Sequence, residues 1–179
     1  MAERSDTELV EQARIGDMES LGELYRRHYP AAVGIAYARG SDRHLAEDAA
    51  QEAFAVVCRD LGRLRRPDRF VSWLGAICRR LATRAAKARP RHRLPDEANL
   101  PAATGNPGDD RRDVVRQAVR RLPLRAREVI VLRYFNGLSH EQIASTLGIS
   151  PQAVHGRLIR ARRRIAQDLR RNGLERQEQ

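Results

Sequence analysis

Between Ser150 and Arg164 the chain carries Gln152, His155, Gly156, Arg157, Arg160, Arg163 and Arg164. On a helix, Gln152, His155, Gly156, Ile159, Arg160 and Arg163 fall on one face, while Val154, Leu158, Ala161 and Ile165 form the opposite stripe. Amide, imidazole and guanidinium groups gathered on one helical face can donate to base edges and phosphates in a DNA major groove. Gly156, near the middle of that face, would let the backbone approach a groove closely. The competing reading is a plain helical hairpin with a solvated arginine face.

A second set lies upstream. Arg63, Arg65, Arg66, Asp68 and Arg69 crowd a short segment broken by Pro67, and Arg79, Arg80, Arg84 and Lys87 back an apolar stripe of Phe70, Trp73, Leu74, Ile77 and Leu81. A basic loop beside a basic helix face suits single-stranded or distorted nucleic acid. Trp73 could stack on a base, but it shares its stripe with Phe70, Leu74 and Ile77, which favours a place in the core. A third set is acidic: Asp48, Gln51 and Glu52 stand away from the centre of the stripe formed by Leu45, Ala49, Ala53, Val56 and Val57.

Charge follows the same division. Residues 1–57 carry net −5, 58–94 net +10, 95–113 net −3 and 114–179 net +9, within a total of +11 over 179 residues. Two basic blocks suggest two contacts with a polyanion, and the acidic opening segment suggests a different partner. No nucleotide-binding glycine loop, metal-ligand cluster or activated nucleophile is present, and the five histidines are scattered, so neither an enzyme nor a cofactor is expected. Cys58 and Cys78 lie far apart without CxxC spacing, which reads as a reducing compartment and no disulfide. The polar start and the lack of a long apolar run predict a soluble cytoplasmic protein without membrane insertion.

The elements that must hold these sets read as all-α. Ser5 and Glu8 have capping-box spacing before a short helix ending near Ile15, and Gly16-Asp17 breaks the chain before a longer helix from Met18 to Gly40 that Pro30 would kink or restart. Ser41-Asp42 starts the helix bearing Asp48, Gln51 and Glu52. Residues 62–68 read as a loop, and Phe70 opens the next helix. From Pro90 to Asp110 apolar periodicity stops among prolines and glycines, which predicts an extended linker. Val114 to Leu122 then form a short helix closed by Pro123, and Leu124 to Phe135 another. Ser139 with Gln142 caps a third, which Gly148 ends, and Ser150-Pro151 starts the last with Ile149 and Val154 placed as a staple. Two capped helices joined by a turn at Gly148 make a helix-turn-helix pattern. The expected organisation is two small helical domains, 1–89 and 113–179, joined by a flexible linker over 90–112.

Leu45-Ala46-Glu47-Asp48-Ala49-Ala50-Gln51-Glu52-Ala53-Phe54 resembles the region-2 signature of extracytoplasmic-function sigma factors of the sigma-70 family. Phe70-Val71-Ser72-Trp73-Leu74 resembles the start of that family's next helix. Leu138 to Ile165, with Gly148-Ile149-Ser150 and Arg160-Ala161-Arg162-Arg163-Arg164, resembles its region-4 helix-turn-helix. The resemblance covers nearly the whole chain in the family's order. It implies an alternative sigma factor that binds the core of bacterial RNA polymerase, recognises −10 and −35 promoter elements and promotes DNA melting. By resemblance, Asp48, Gln51 and Glu52 would meet the largest polymerase subunits. Arg63, Arg65, Arg66, Asp68, Arg69, Trp73, Arg79, Arg80 and Arg84 would contact the −10 element, and Ser150, Gln152, His155, Gly156, Arg157, Arg160, Arg163 and Arg164 the −35 element. Family members are commonly held by an anti-sigma factor, and the resemblance extends that expectation here.

Some features depart from the family pattern. His155 and Gly156 stand where the family often has Arg or Lys followed by Ser, and Arg79 to Arg84 lacks its frequent Asn and Asp. The rival readings are a different helix-turn-helix regulator and a sigma-like adaptor that does not initiate. The first would not require the Asp48 helix, the arginine loop and the Trp73 helix in this order.

Overall fold

The computed structural model describes residues 4–40, 42–88 and 107–171, with side chains from residue 112 in the last stretch. Among these residues there are eight α-helices and no strand, as the periodicities require.

Helix α1 spans Asp6–Arg14 and opens on the expected capping box. The Glu8 amide donates to Ser5 Oγ at 3.3 Å, and the Ser5 amide donates to the Glu8 carboxylate at 2.7 Å. Helix α2, Met18–Gly40, runs on through Pro30 rather than restarting there. One missing amide costs a single ladder bond, and the buried run Ala31, Ala32, Ile35, Ala36 and Ala38 holds the helix in the core on the far side of the proline. Asp42 caps α3, Arg43–Asp60, by accepting the Leu45 amide at 3.0 Å; Ser41 lies outside the described residues. The segment expected as a loop contains two single 3-10 turns, Leu61–Arg63 and Pro67–Arg69, before α4, Phe70–Ala88.

The expected linker over 90–112 falls mostly outside the described residues. Where description resumes the chain is already helical: α5 spans Pro107–Arg120, starting six residues before the expected domain boundary. A proline at the first helical position needs no amide and has its φ preset, so Pro107 begins a helix here instead of extending a linker. Helices α6, Leu124–Tyr134, α7, His140–Leu147, and α8, Pro151–Arg171, follow at nearly the expected bounds.

Helices α1–α4 and α5–α8 form two groups that pack on one another, α6 against α2 and α7 against α4. A single apolar core runs through both, from Leu9, Leu24 and Phe70 to Val129, Ile143 and Val154. Helix α6 explains the continuity. Val129, Ile130, Val131 and Leu132 are four successive buried residues, so the helix is apolar around most of its circumference. One side meets α2 and another α8.

Candidate nucleic-acid interface

The helix-turn-helix is built as its caps dictate. Ser139 and Gln142 form a complete capping box, with Gln142 N to Ser139 Oγ at 3.2 Å and Ser139 N to Gln142 Oε1 at 2.8 Å. Gly148 closes α7 in the left-handed conformation, φ 65° and ψ 40°, where a side chain would be strained. Ser150 Oγ then accepts the Ala153 amide at 3.2 Å, which starts α8. Val154, Leu158 and Ala161 are buried beneath α8, while Gln152, His155, Arg160, Arg163 and Arg164 are exposed on it. Arg157 and Gly156 are half-buried. A Cβ placed on Gly156 would stand 3.3 Å from Arg160 Nη1, so the glycine also gives the Arg160 guanidinium room to lie along the helix. The His155 ring meets His140 edge-on at 5.8 Å.

The upstream set is arranged around α4. Arg63 and Arg69 lie in the two 3-10 turns, Arg65 and Arg66 lie between them, and all four are exposed. Asp68 binds Arg66 through a paired contact, Nε–Oδ1 3.2 Å and Nη2–Oδ2 2.7 Å, and lies 3.7 Å from Arg69. The Arg66 hydrogen bonds lower the Asp68 pKa below the usual carboxylate range. Asp68 thus orients two arginines. Trp73 is half-buried, with its ring centre 6.4 Å from that of Phe70 and its body against the core. Arg80 and Arg84 are exposed. Together with Arg39, Arg79, Thr83 and Lys87 they line an open cleft of about 550 Å³. Five cations around one cleft are suited to phosphates.

The acidic set is placed as expected: Asp48, Gln51 and Glu52 are exposed on α3, while Ala49, Ala50, Ala53 and Phe54 are buried behind them. Cys58 is exposed and Cys78 buried, where burial pushes its thiol pKa up to about 12. Among the described residues no group of His, Cys, Asp and Glu is placed to hold a metal, and no helix is long and apolar enough to cross a membrane.

Sequence reasoning missed Arg39 and Glu128. Glu128 is 4% exposed, the only buried acid among the described residues, and accepts from Arg39 Nη2 at 3.0 Å. Arg39 also donates through Nη1 to Thr83 Oγ1 at 2.9 Å. Beside this pair Arg79 is half-buried, and burial lowers its pKa against the opposing pull of Glu128. The available signal was an acid standing directly before an apolar run of four, yet its partner is 89 positions away in sequence.

A capped helix-turn-helix with an exposed arginine face, a second arginine surface and a separate acidic helix face are the features of a DNA-binding transcription protein. Residues 24–92 match the family model described as sigma-70 region 2, and residues 112–165 match that for sigma-70 region 4. The ECF RNA polymerase sigma factor SigM of Mycobacterium tuberculosis is 32% identical, over 92% of this chain and 84% of that protein. The RNA polymerase sigma-H factor of Pseudomonas aeruginosa is 29% identical, over 92% of this chain and 94% of that protein. The solved structure of CnrH in complex with the cytosolic domain of CnrY aligns with a TM-score of 0.65 at 28% identity, over 92% of this chain and 97% of that one. The chain belongs to the sigma-70 family, as an extracytoplasmic-function RNA polymerase sigma factor. Its function is that of an alternative sigma factor in transcription initiation.

Proposed function

We propose that the acidic face of α3, the arginine surface around α4 and the outer face of α8 divide the work of initiation. Asp48, Gln51 and Glu52 dock on the largest subunits of the polymerase core, where a basic partner surface complements them. Arg63, Arg65, Arg66, Arg69, Arg80 and Arg84 hold the −10 strand by its phosphates, Asp68 fixes Arg66 and Arg69, and the outer edge of Trp73 stacks on an unpaired base. Arg79 joins this set from the wall of the cleft. Gln152, His155, Arg160, Arg163 and Arg164 meet the −35 duplex, with Arg157 at the flank. Ser150 fixes the start of α8, and Gly156 leaves the groove side of α8 low enough for close approach.

The observation that carries this reading is α8 itself: its inner stripe is buried and its outer face is an uncovered row of donors. The protein acts by binding, without catalysing a reaction of its own, and works in the cytoplasm alongside the polymerase. Its two working units are residues 1–89 and 113–179 with 90–112 between them, the second unit's first helix reaching back to Pro107. An anti-sigma factor restrains it; the similar CnrH is solved bound to the cytosolic domain of another protein.

Footprinting of the protein–polymerase complex on a responsive promoter tests the division. Arg160→Ala should lose protection upstream while keeping the downstream opening, and Arg80→Ala the reverse. If both variants lost the same region, the division would be wrong.

A further inference from the structure

The cleft beside α4 has a floor and a rim. Arg39 of α2 and Arg79, Arg80, Thr83, Arg84 and Lys87 of α4 line it, enclosing about 550 Å³. Arg39, whose side chain is 16% exposed, and the half-buried Arg79 form the floor. Arg80, Arg84 and Lys87 are exposed and form the rim. They recur at i, i+4 and i+7, which aligns them along one side of α4. Among the described residues no carboxylate lines the cleft.

The floor is fixed in advance. Thr83 Oγ1 donates to the Arg79 carbonyl at 2.6 Å and accepts from Arg39 Nη1 at 2.9 Å. Glu128, outside the lining, accepts from Arg39 Nη2 at 3.0 Å. Arg39 therefore needs little reordering to meet an anion. Positive charge prevails all the same. Glu128 offsets one of five cations, and Asp60, near Arg80, is shared with Arg59 and Arg63. Arg39 Nε and Arg79 Nη1 are buried without a hydrogen-bond partner among the described residues. A nearby anion would compensate charge that the fold leaves under-satisfied.

The composition of the lining narrows the ligand. It holds five cations and a hydroxyl, with no ring or apolar side chain on which a base could stack. Recognition here is of phosphate alone. A nucleic-acid strand carries one charge per phosphodiester, with a sugar on either side of each, and suits the rim. A chain of unesterified phosphates concentrates several charges in a small volume and can turn its terminal group down to Arg39. Guanidinium groups meet such oxygens in paired hydrogen bonds.

We propose that this cleft binds a compact polyphosphate, inorganic triphosphate or the phosphate tail of a nucleotide, with Arg39 and Arg79 beneath it and Arg80, Arg84 and Lys87 around it. Arg80 and Arg84 are also assigned above to the −10 strand, so polyphosphate and strand exclude one another. That consequence rests on the −10 assignment; the site itself does not. Thr83 acts as a positioning residue, because it touches the ligand's partner Arg39 and carries no charge of its own.

Isothermal titration calorimetry of the full-length chain with inorganic triphosphate, ATP and sulfate, in ~0.15 M salt without divalent cations, tests the site; circular dichroism confirms that each variant is folded. One triphosphate should bind per chain, and sulfate at matched ionic strength should not. Binding of ATP as tight as that of triphosphate assigns the site to nucleotide tails as well, and much weaker binding assigns it to the inorganic chain. Lys87→Ala should weaken triphosphate binding about tenfold. Thr83→Val should weaken it too, with no change of charge. Arg65→Ala, which removes an equal charge from the exposed loop, should leave it as it is. Several weak equivalents per chain, or equal losses from Lys87→Ala and Arg65→Ala, would overturn the site. Triphosphate should also displace a fluorescent oligothymidylate. Triphosphate bound at one site without displacement would leave the site standing and remove Arg80 and Arg84 from the −10 set.

Discussion

Single side chains in this protein divide into those that hold a surface and those that use it. Arg160 is proposed for the second kind. It is exposed on α8 and has Gly156 beneath its guanidinium. A bidentate base contact is worth about 1–3 kcal/mol of discrimination. Arg160→Ala should therefore lower transcription from the preferred −35 sequence by at least several-fold and flatten the difference between promoter variants. Changes between the two matched regions, such as Asn99→Ala, should leave transcription alone, and run-off assays on a promoter series would show the contrast. The cysteines offer a simpler check. Cys58 is exposed, whereas burial holds the Cys78 thiol near a pKa of about 12 and keeps it protonated at neutral pH. Alkylation of the folded protein, followed by mass spectrometry, should modify Cys58 alone, and Cys78 only after denaturation.

At the scale of elements, local chemistry accounts for most boundaries. Ser139→Ala should remove one half of a complete capping box and cost about 1 kcal/mol in thermal or denaturant unfolding. Asp6 ties α1 to α2 through His28 Nε2 at 2.7 Å and Arg27 Nη1 at 3.3 Å. Burial pushes its carboxyl up, but the hydrogen bonds and charges of His28 and Arg27 outweigh it, and the net pKa is lowered. Stability from Asp6 is therefore present above the unfolded carboxylate value near 3.9 and is lost as pH falls through the lower folded value. Asp6→Asn should remove that acid-dependent component from a pH series of unfolding curves.

The same elements show what was legible in advance. Ser5-Glu8, Asp42, Ser139-Gln142, Gly148 and Ser150-Pro151 announced their helix ends because caps act over three or four residues. The exposed faces of α3 and α8 followed from period alone. Pro107 misled because it begins a helix, and Pro30 does not restart α2 because the core holds that helix on its far side. The Arg39–Glu128 pair was hidden for a different reason: no local rule joins residues of α2 to α6. The run Val129 to Leu132 did indicate a helix buried on several sides, and such a helix needs a neighbour on each of them.

As a whole molecule the chain sets an acidic helix face beside two cationic surfaces. Glu52→Arg on the exposed face of α3 would set like charges against a basic polymerase surface. It should weaken association with the core enzyme about tenfold or more in a pull-down or fluorescence titration, while leaving the helical content as it is. With a net charge of +11, contacts to DNA should also weaken steeply as salt rises.

Initiation in a defined system tests the central claim most directly. The purified chain would be added to core RNA polymerase and fragmented genomic template, and 5′ ends of the transcripts mapped. The account predicts discrete start sites absent with core alone, each preceded by shared upstream and downstream elements, and their loss with Arg160→Ala or Glu52→Arg. Start sites unchanged from core enzyme alone, under conditions where the chain is shown to be folded, would contradict it.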